Sequence, residues 1–163
     1  MLPTDLTVAA VVERHDSFLI VEKRVSGRFV LSQPSAHVEA SESPEQAIVR
    51  GALEETGYEI SVGDLLGIYL WIHPQTRRQY LRVAYAATFI AESLNHVADE
   101  HIKRVHWLSL GDIRQRANEL VSPIVQRCVE DYLVGKRESS QLLNELLPIQ
   151  QNIVQVMANA CLV

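Results

Sequence analysis

The chain predicts an α/β (α+β) fold in which a mixed β-sheet is sandwiched between α-helices. Three observations lead there: six short β-rich runs, two helix-start signals of the Ser-Pro kind, and the composition of a single globular domain. With 163 residues, 47% hydrophobic and 21% charged, the chain is long enough to bury one good core. Repeats, low-complexity tracts and signs of a second domain are absent from it.

In chain order, strands are expected at residues 6–12 (LTVAAVV) and 18–22 (FLIVE), joined by a polar turn around Arg14, His15 and Asp16. Further strands are expected at 29–31, 64–71, 80–90 and 105–108. The strongest helix lies at 44–56. Ser43 is its N-cap, Pro44 occupies the first helical position, Gln46 closes a capping box onto Ser43, and Gly57 can take the left-handed conformation that ends it. A short helical turn follows Ser109, and a second helix spans 123–134, where Ser122-Pro123 repeats the cap signal.

At roughly 100° per residue, Ile48, Val49, Ala52 and Leu53 fall on one face of the main helix, and Arg50, Gly51, Glu54 and Glu55 on the other. The first face is expected to pack inward. The second places two glutamates one turn from an arginine, after a loop carrying Glu39 and Glu42. One reading is a solvated acidic face, which is cheap to maintain. The other is a divalent-metal site for phosphate chemistry: Arg50 orients Glu54 by a charge-assisted hydrogen bond, and Glu54 and Glu55 offer hard oxygen ligands to Mg²⁺ or Mn²⁺.

Residues 36–58 resemble the signature of the Nudix hydrolases, G-x5-E-x7-R-E-U-x-E-E-x-G-U, with U an aliphatic or aromatic residue. Glu42, Arg50, Ala52, Glu54, Glu55, Gly57 and Tyr58 match in register. Two positions depart: Ala36 stands for the opening glycine and Gly51 for the glutamate after the arginine. Ser41 also replaces a residue that is often glycine in the family. In the family the missing glutamate is typically a metal ligand or the base that activates water; glycine does neither. Glycine also weakens a helix interior by about 1 kcal/mol, so helix stability does not account for it. Ala36 and Ser41 are expected to make a loop needing positive φ harder to form.

The resemblance extends from Thr7 to about Leu143 and is similar to the NudJ branch, through QPSAHVE, YLWIHP, YLRVAY, VHWLSLGDI and SPIVQRCVEDYLVGKR. It implies the mixed sheet between helices, a Mg²⁺-dependent phosphohydrolase, and small phosphoanhydride substrates: nucleoside di- and triphosphates or a thiamine-pathway pyrophosphate. The metal ligands would be Glu54 and Glu55. Arg82 and Tyr80, with Glu39 from the loop, would meet the substrate, and Trp71 or Tyr69 would stack on a ring. Many relatives carry an acid in the loop before a late strand, which here reads Asp99-Glu100-His101. Glu100 or His101 is therefore the expected proton acceptor, since a histidine can serve as a base near neutral pH. Arg82 also stands out without the family, because a mid-strand arginine among apolar neighbours needs an anionic partner. The competing reading is a catalytically inactive Nudix-shaped nucleotide-binding or regulatory module.

The net charge of −5 and the lack of any basic cluster longer than a pair exclude a nonspecific binder of nucleic-acid polymers. Cys128 and Cys161 have no metal-ligand spacing, and the N-terminus has no basic-apolar-small signal, so a cytoplasmic location is expected. No apolar run approaches the roughly 20 residues of a membrane helix. Residues 1–137 are read as the Nudix domain and 138–163 as an extension, helical apart from Pro148. That extension packs on its own domain or forms a homodimer contact.

Overall fold

The computed structural model describes residues 3–97 and 99–143. The chain runs β1 (Thr4–Arg14), β2 (Ser17–Val25), β3 (Arg28–Ser32), β4 (Ser35–His37), α1 (Pro44–Thr56), β5 (Tyr58–Ile72), β6 (Gln79–Glu92), β7 (Ile102–Leu108), α2 (Leu110–Gln115) and α3 (Ile124–Leu133). The sheet follows β3-β2-β1-β6-β5, with β4 added on β1 and β7 on β2. It is mixed: β1 and β6 run parallel from Thr4↔Gln79 to Val12↔Ala87, and the other pairings are antiparallel.

The two-residue loops His15-Asp16 and Ser26-Gly27 turn the chain between β1, β2 and β3, and all four residues have positive φ. That backbone matches the right-handed twist of paired strands. Both faces of the central strands are covered, so β1 reads as a continuous apolar run rather than an alternating one. Val8, Ala10 and Val12 pack with Ala47, Ile48 and Ala52 of α1. Val11 and Ala84 join Val125, Cys128 and Val129 of α3.

The expected strands are all present, each longer than its apolar run. The segment 35–37, read as loop, is a short strand paired with β1 at Thr7↔His37 and Ala9↔Ser35. α1 has the expected bounds, both halves of its capping box, and Gly57 at φ 74° donating its N–H to Leu53 O at 2.9 Å. Its faces differ from expectation. Gly51 is buried with Ala47, Ile48, Ala52 and Thr56, whereas Val49 is exposed. α3 starts at Ile124, and Pro123, which has no polar side-chain atom, takes the cap position without a side-chain hydrogen bond, while Val125 N–H donates to Ser122 O at 3.3 Å.

Of the extension, Glu138 N–H bonds Leu65 O at 2.7 Å and Leu143 packs against the core. The expected helix and homodimer contact beyond residue 143, and Cys161, lie outside the described residues. Among the described residues no helix is long and apolar enough to cross a membrane.

β2 and β7 are also tied by side chains. Glu22 accepts from Lys103 Nζ at 2.8 Å and pairs with His106 Nε2 at 3.0 Å. The Lys103 bond first, and the His106 bond second, hold the Glu22 carboxyl below its ordinary range. The folded pKa being depressed, this stabilisation is complete above the unfolded glutamate value of about 4.3 and is lost as pH falls through the lower folded value. Glu22→Gln should therefore flatten the fall in stability between about pH 5 and pH 3, as read from urea denaturation midpoints. An unchanged acid limb in the variant would refute it.

Candidate active site

The site begins at the contact between β4 and α1. A Cβ added to Gly51 would lie 2.6 Å from Ala36 Cβ and 2.9 Å from Ser35 O, so the helix and the short strand touch backbone to side chain with no room for more. The two departures from the signature are thus complementary: the methyl group of Ala36 fills the place that a side chain at 51 would need. Ala36 lies in a strand and needs no positive φ, contrary to expectation. Ser41 does adopt φ 64°, a conformation that costs a non-glycine residue roughly 1 kcal/mol.

On the outer face, Arg50 gathers the loop carboxylates. It grips Glu42 in a two-point bond, Nε to Oε1 at 2.7 Å and Nη2 to Oε2 at 2.9 Å. It also donates to His37 O at 3.0 Å and to Glu54 Oε2 at 3.1 Å, and it stands 3.7 Å from Glu39. The arginine bond is the main reason why the Glu42 carboxyl sits below its ordinary range. Arg50 therefore fastens the 37–42 loop onto α1.

The inner face opens on a cavity of about 440 Å³ between β4, α1, β2, β1, β6 and the start of α3. Glu55 turns into it with a side chain only 12% exposed. Its Oε1 contacts Lys23 Nζ at 2.6 Å, and its Oε2 accepts from Ser35 N–H at 2.9 Å. Burial pushes the Glu55 carboxyl up, opposed by the Lys23 ammonium and the Ser35 N–H. Lys23 Nζ also donates to Ser35 Oγ at 3.0 Å.

Arg82, directly across the parallel pairing from Thr7, is 7% exposed. Among the described residues its side chain makes one hydrogen bond, a long one from Nε to Thr7 Oγ1 at 3.4 Å, and Nη1 is buried without a partner. Trp71 and Tyr80 form part of the wall with their rings stacked 5.6 Å apart, and an Arg78–Asp5 pair closes another side.

Of the sequence-predicted residues, Glu55, Arg82, Tyr80 and Trp71 come together on this cavity. Arg50, Glu54 and Glu39 lie off it on the outer face, with the Glu54 side chain 56% exposed. Glu100 and His101 are off it too, 90% and 66% exposed and 3.8 Å from each other. Tyr69 faces α3 instead, its hydroxyl donating to Asp131 at 2.9 Å. Cys128 is buried beneath the sheet, and burial pushes its thiol up to about 11, which leaves it protonated and inert. The reading missed Lys23, Ser35 and Thr7. The signal for Lys23 was the same as for Arg82, a charge inside an apolar strand, but the expected strand stopped at residue 22.

Residues 3–128 match the family model of the NUDIX domain. The chain belongs to the Nudix family. It is 30% identical over 145 residues to Phosphatase NudJ of Escherichia coli K12, an alignment covering 89% of this chain and 94% of that protein. A solved NUDIX hydrolase from Nitrosomonas europaea superposes with a TM-score of 0.81 at 36% identity, over 88% of this chain and 97% of that one. The MutT protein of Methanosarcina mazei Go1, at 18% identity and TM-score 0.67 over 83% and 98% of the two chains, shares the fold.

Nudix hydrolases generally use divalent metal ions, which require several hard oxygen ligands and a surplus of negative charge. Here the donors do not fit a protein-held ion. Glu55 is engaged by an ammonium and Glu54 by a guanidinium. Among the described residues no three His, Cys, Asp or Glu side chains converge as a metal group.

Because Gly51 is packed, Gly51→Ala should destabilise the protein by about 1–2 kcal/mol, overpacking outweighing the roughly 1 kcal/mol gain in helix propensity. Ala36→Gly in the same chain should recover part of that loss, because the close contact with Ser35 O remains. Urea denaturation of the two single variants and the double variant measures the coupling; additive effects would contradict the contact.

Proposed function

We propose that this chain hydrolyses the phosphoanhydride of a nucleoside di- or triphosphate, or of a related small diphosphate, in the cavity lined by Glu55, Lys23 and Arg82. The observation that carries the reading is the buried guanidinium of Arg82. A charge so desolvated, with one long side-chain hydrogen bond and an unpartnered Nη1 among the described residues, calls for an anion beside it, and a phosphate oxygen suits its planar fork. The stacked Trp71 and Tyr80 offer an apolar wall to a base or ring.

Of the two carboxylates on the cavity wall, Asp5 is paired with Arg78, and Glu55 takes the role of proton acceptor from the attacking water; Lys23 and Ser35 hold it in one orientation. Arg50 and Glu42 act at a distance, by fixing the loop against α1. Glu39 belongs to that loop and Glu54 bonds Arg50 beside it, while Glu100 and His101 stand exposed on the loop before β7, from which a base is delivered only if the loop moves. Mg²⁺ or Mn²⁺ enters as the counter-ion that small polyphosphates carry in solution, not as an ion the chain holds beforehand. The buried free thiol of Cys128 supports a cytoplasmic setting.

A second reading, a binding module without turnover, is favoured by the 2.6 Å Lys23–Glu55 contact and by the space-filling pair Ala36 and Gly51. Phosphate release from a panel of nucleotides and small diphosphates, with Mg²⁺ and with Mn²⁺, decides between the two. Glu55→Gln is expected to lower kcat about 100-fold, and Arg82→Gln to raise KM about tenfold with a smaller change in kcat. Parent-level turnover in Glu55→Gln would remove that residue from the chemistry. A loss on Glu100→Gln or His101→Ala would return the loop to it.

A further inference from the structure

The charges on the cavity wall have the opposite sign from those of a cation site. Two cations, Lys23 and Arg82, face one carboxylate, Glu55, while Arg78 and Asp5 neutralise each other. The Lys23 ammonium has three N–H donors. Glu55 Oε1 takes one and Ser35 Oγ another, leaving the third for the cavity. Arg82 also lines the cavity, its Nη1 is unpartnered among the described residues, and Glu55 is the carboxylate whose charge reaches it. Three bonds thus hold the ammonium and the carboxylate together at the place where α1 presents its inner glutamate.

We propose that Lys23 is the resident cation of this site, and that with Arg82 it makes a phosphate-binding pocket that needs no divalent metal to hold its anion. The proposal rests on the reading of the cavity as the phosphate site, but not on turnover. The ligand class is a compact phosphate dianion or diphosphate, whose oxygens bridge the ammonium and the guanidinium. An ammonium is a compact point charge and accepts such oxygens without fixed geometry, whereas the guanidinium orients them. The contact with Ala36 at Gly51 maintains the arrangement, because it draws β4 close enough for Ser35 to hold both members of the ion pair.

The test is calorimetry with inorganic pyrophosphate on the whole chain, once in excess EDTA and once with Mg²⁺. Binding in EDTA should match binding with Mg²⁺ within about threefold. The double variant Lys23→Met with Glu55→Gln, which removes the ammonium without stranding a buried carboxylate, should weaken it at least tenfold, about 1.4 kcal/mol. Circular dichroism checks that the double variant folds, and the EDTA comparison on the parent protein stands whether or not it does. Binding that appears only with Mg²⁺, no binding under either condition, or parent-like affinity in a folded double variant each overturns the proposal. Tight binding of Mn²⁺ alone to the parent would overturn it as well. Metal-free pyrophosphate binding with no hydrolysis across the nucleotide panel would instead sustain the pocket and defeat the hydrolase reading.

Discussion

The close approach of a three-residue strand to the main helix organises this site. Gly51 has no side chain, so Ala36 can rest on the helix backbone, and the strand that carries Ala36 is held where its neighbour Ser35 meets Glu55. Larger groups at either position would push β4 outward and open the ring formed by Ser35, Glu55 and Lys23. Packing here sets the electrostatics. Arg50 works on the opposite side of the same helix, drawing the acidic loop inward through Glu42. The helix is thereby fastened along both of its functional edges.

The electrostatic consequence is a change of sign within an inherited architecture. A helix that presents two adjacent glutamates has, in this chain, one committed to an arginine and one to a lysine. What remains uncompensated is positive and buried, centred on Arg82. A pocket of that polarity selects for anions by desolvation: an anion restores charge balance, while a free cation adds to the imbalance.

How much of this was legible in the sequence varied with the range of the interactions involved. α1 was readable to its end residues because Ser43, Pro44, Gln46 and Gly57 act within a turn of the chain they cap. Strands were readable as apolar runs, but their ends were not, since pairing continues into polar residues such as Lys23 and Arg24. Strand β4 has no pattern of its own; it exists because β1 offers an edge and α1 a groove. Arg82 announced itself as a charge among apolar neighbours. Lys23 did not, because the apolar run ends at Glu22 and the strand continues past it only through pairing with β3 and β7. Ala36 and Gly51 were each visible as departures, yet their relation is a distance, which spacing along the chain does not reveal.

The parallel pairing of β1 with β6 carries an implication for how the pocket comes into being. The hairpins of β1, β2 and β3 close through two-residue turns, so they are quick, local events. Thr7 and Arg82 are 75 positions apart, and joining them requires the slow, entropically expensive closure of a long segment. Until that closure the guanidinium remains in water and nothing opposes its charge. The desolvation of Arg82 therefore waits for this long-range pairing, and the anion site emerges together with it.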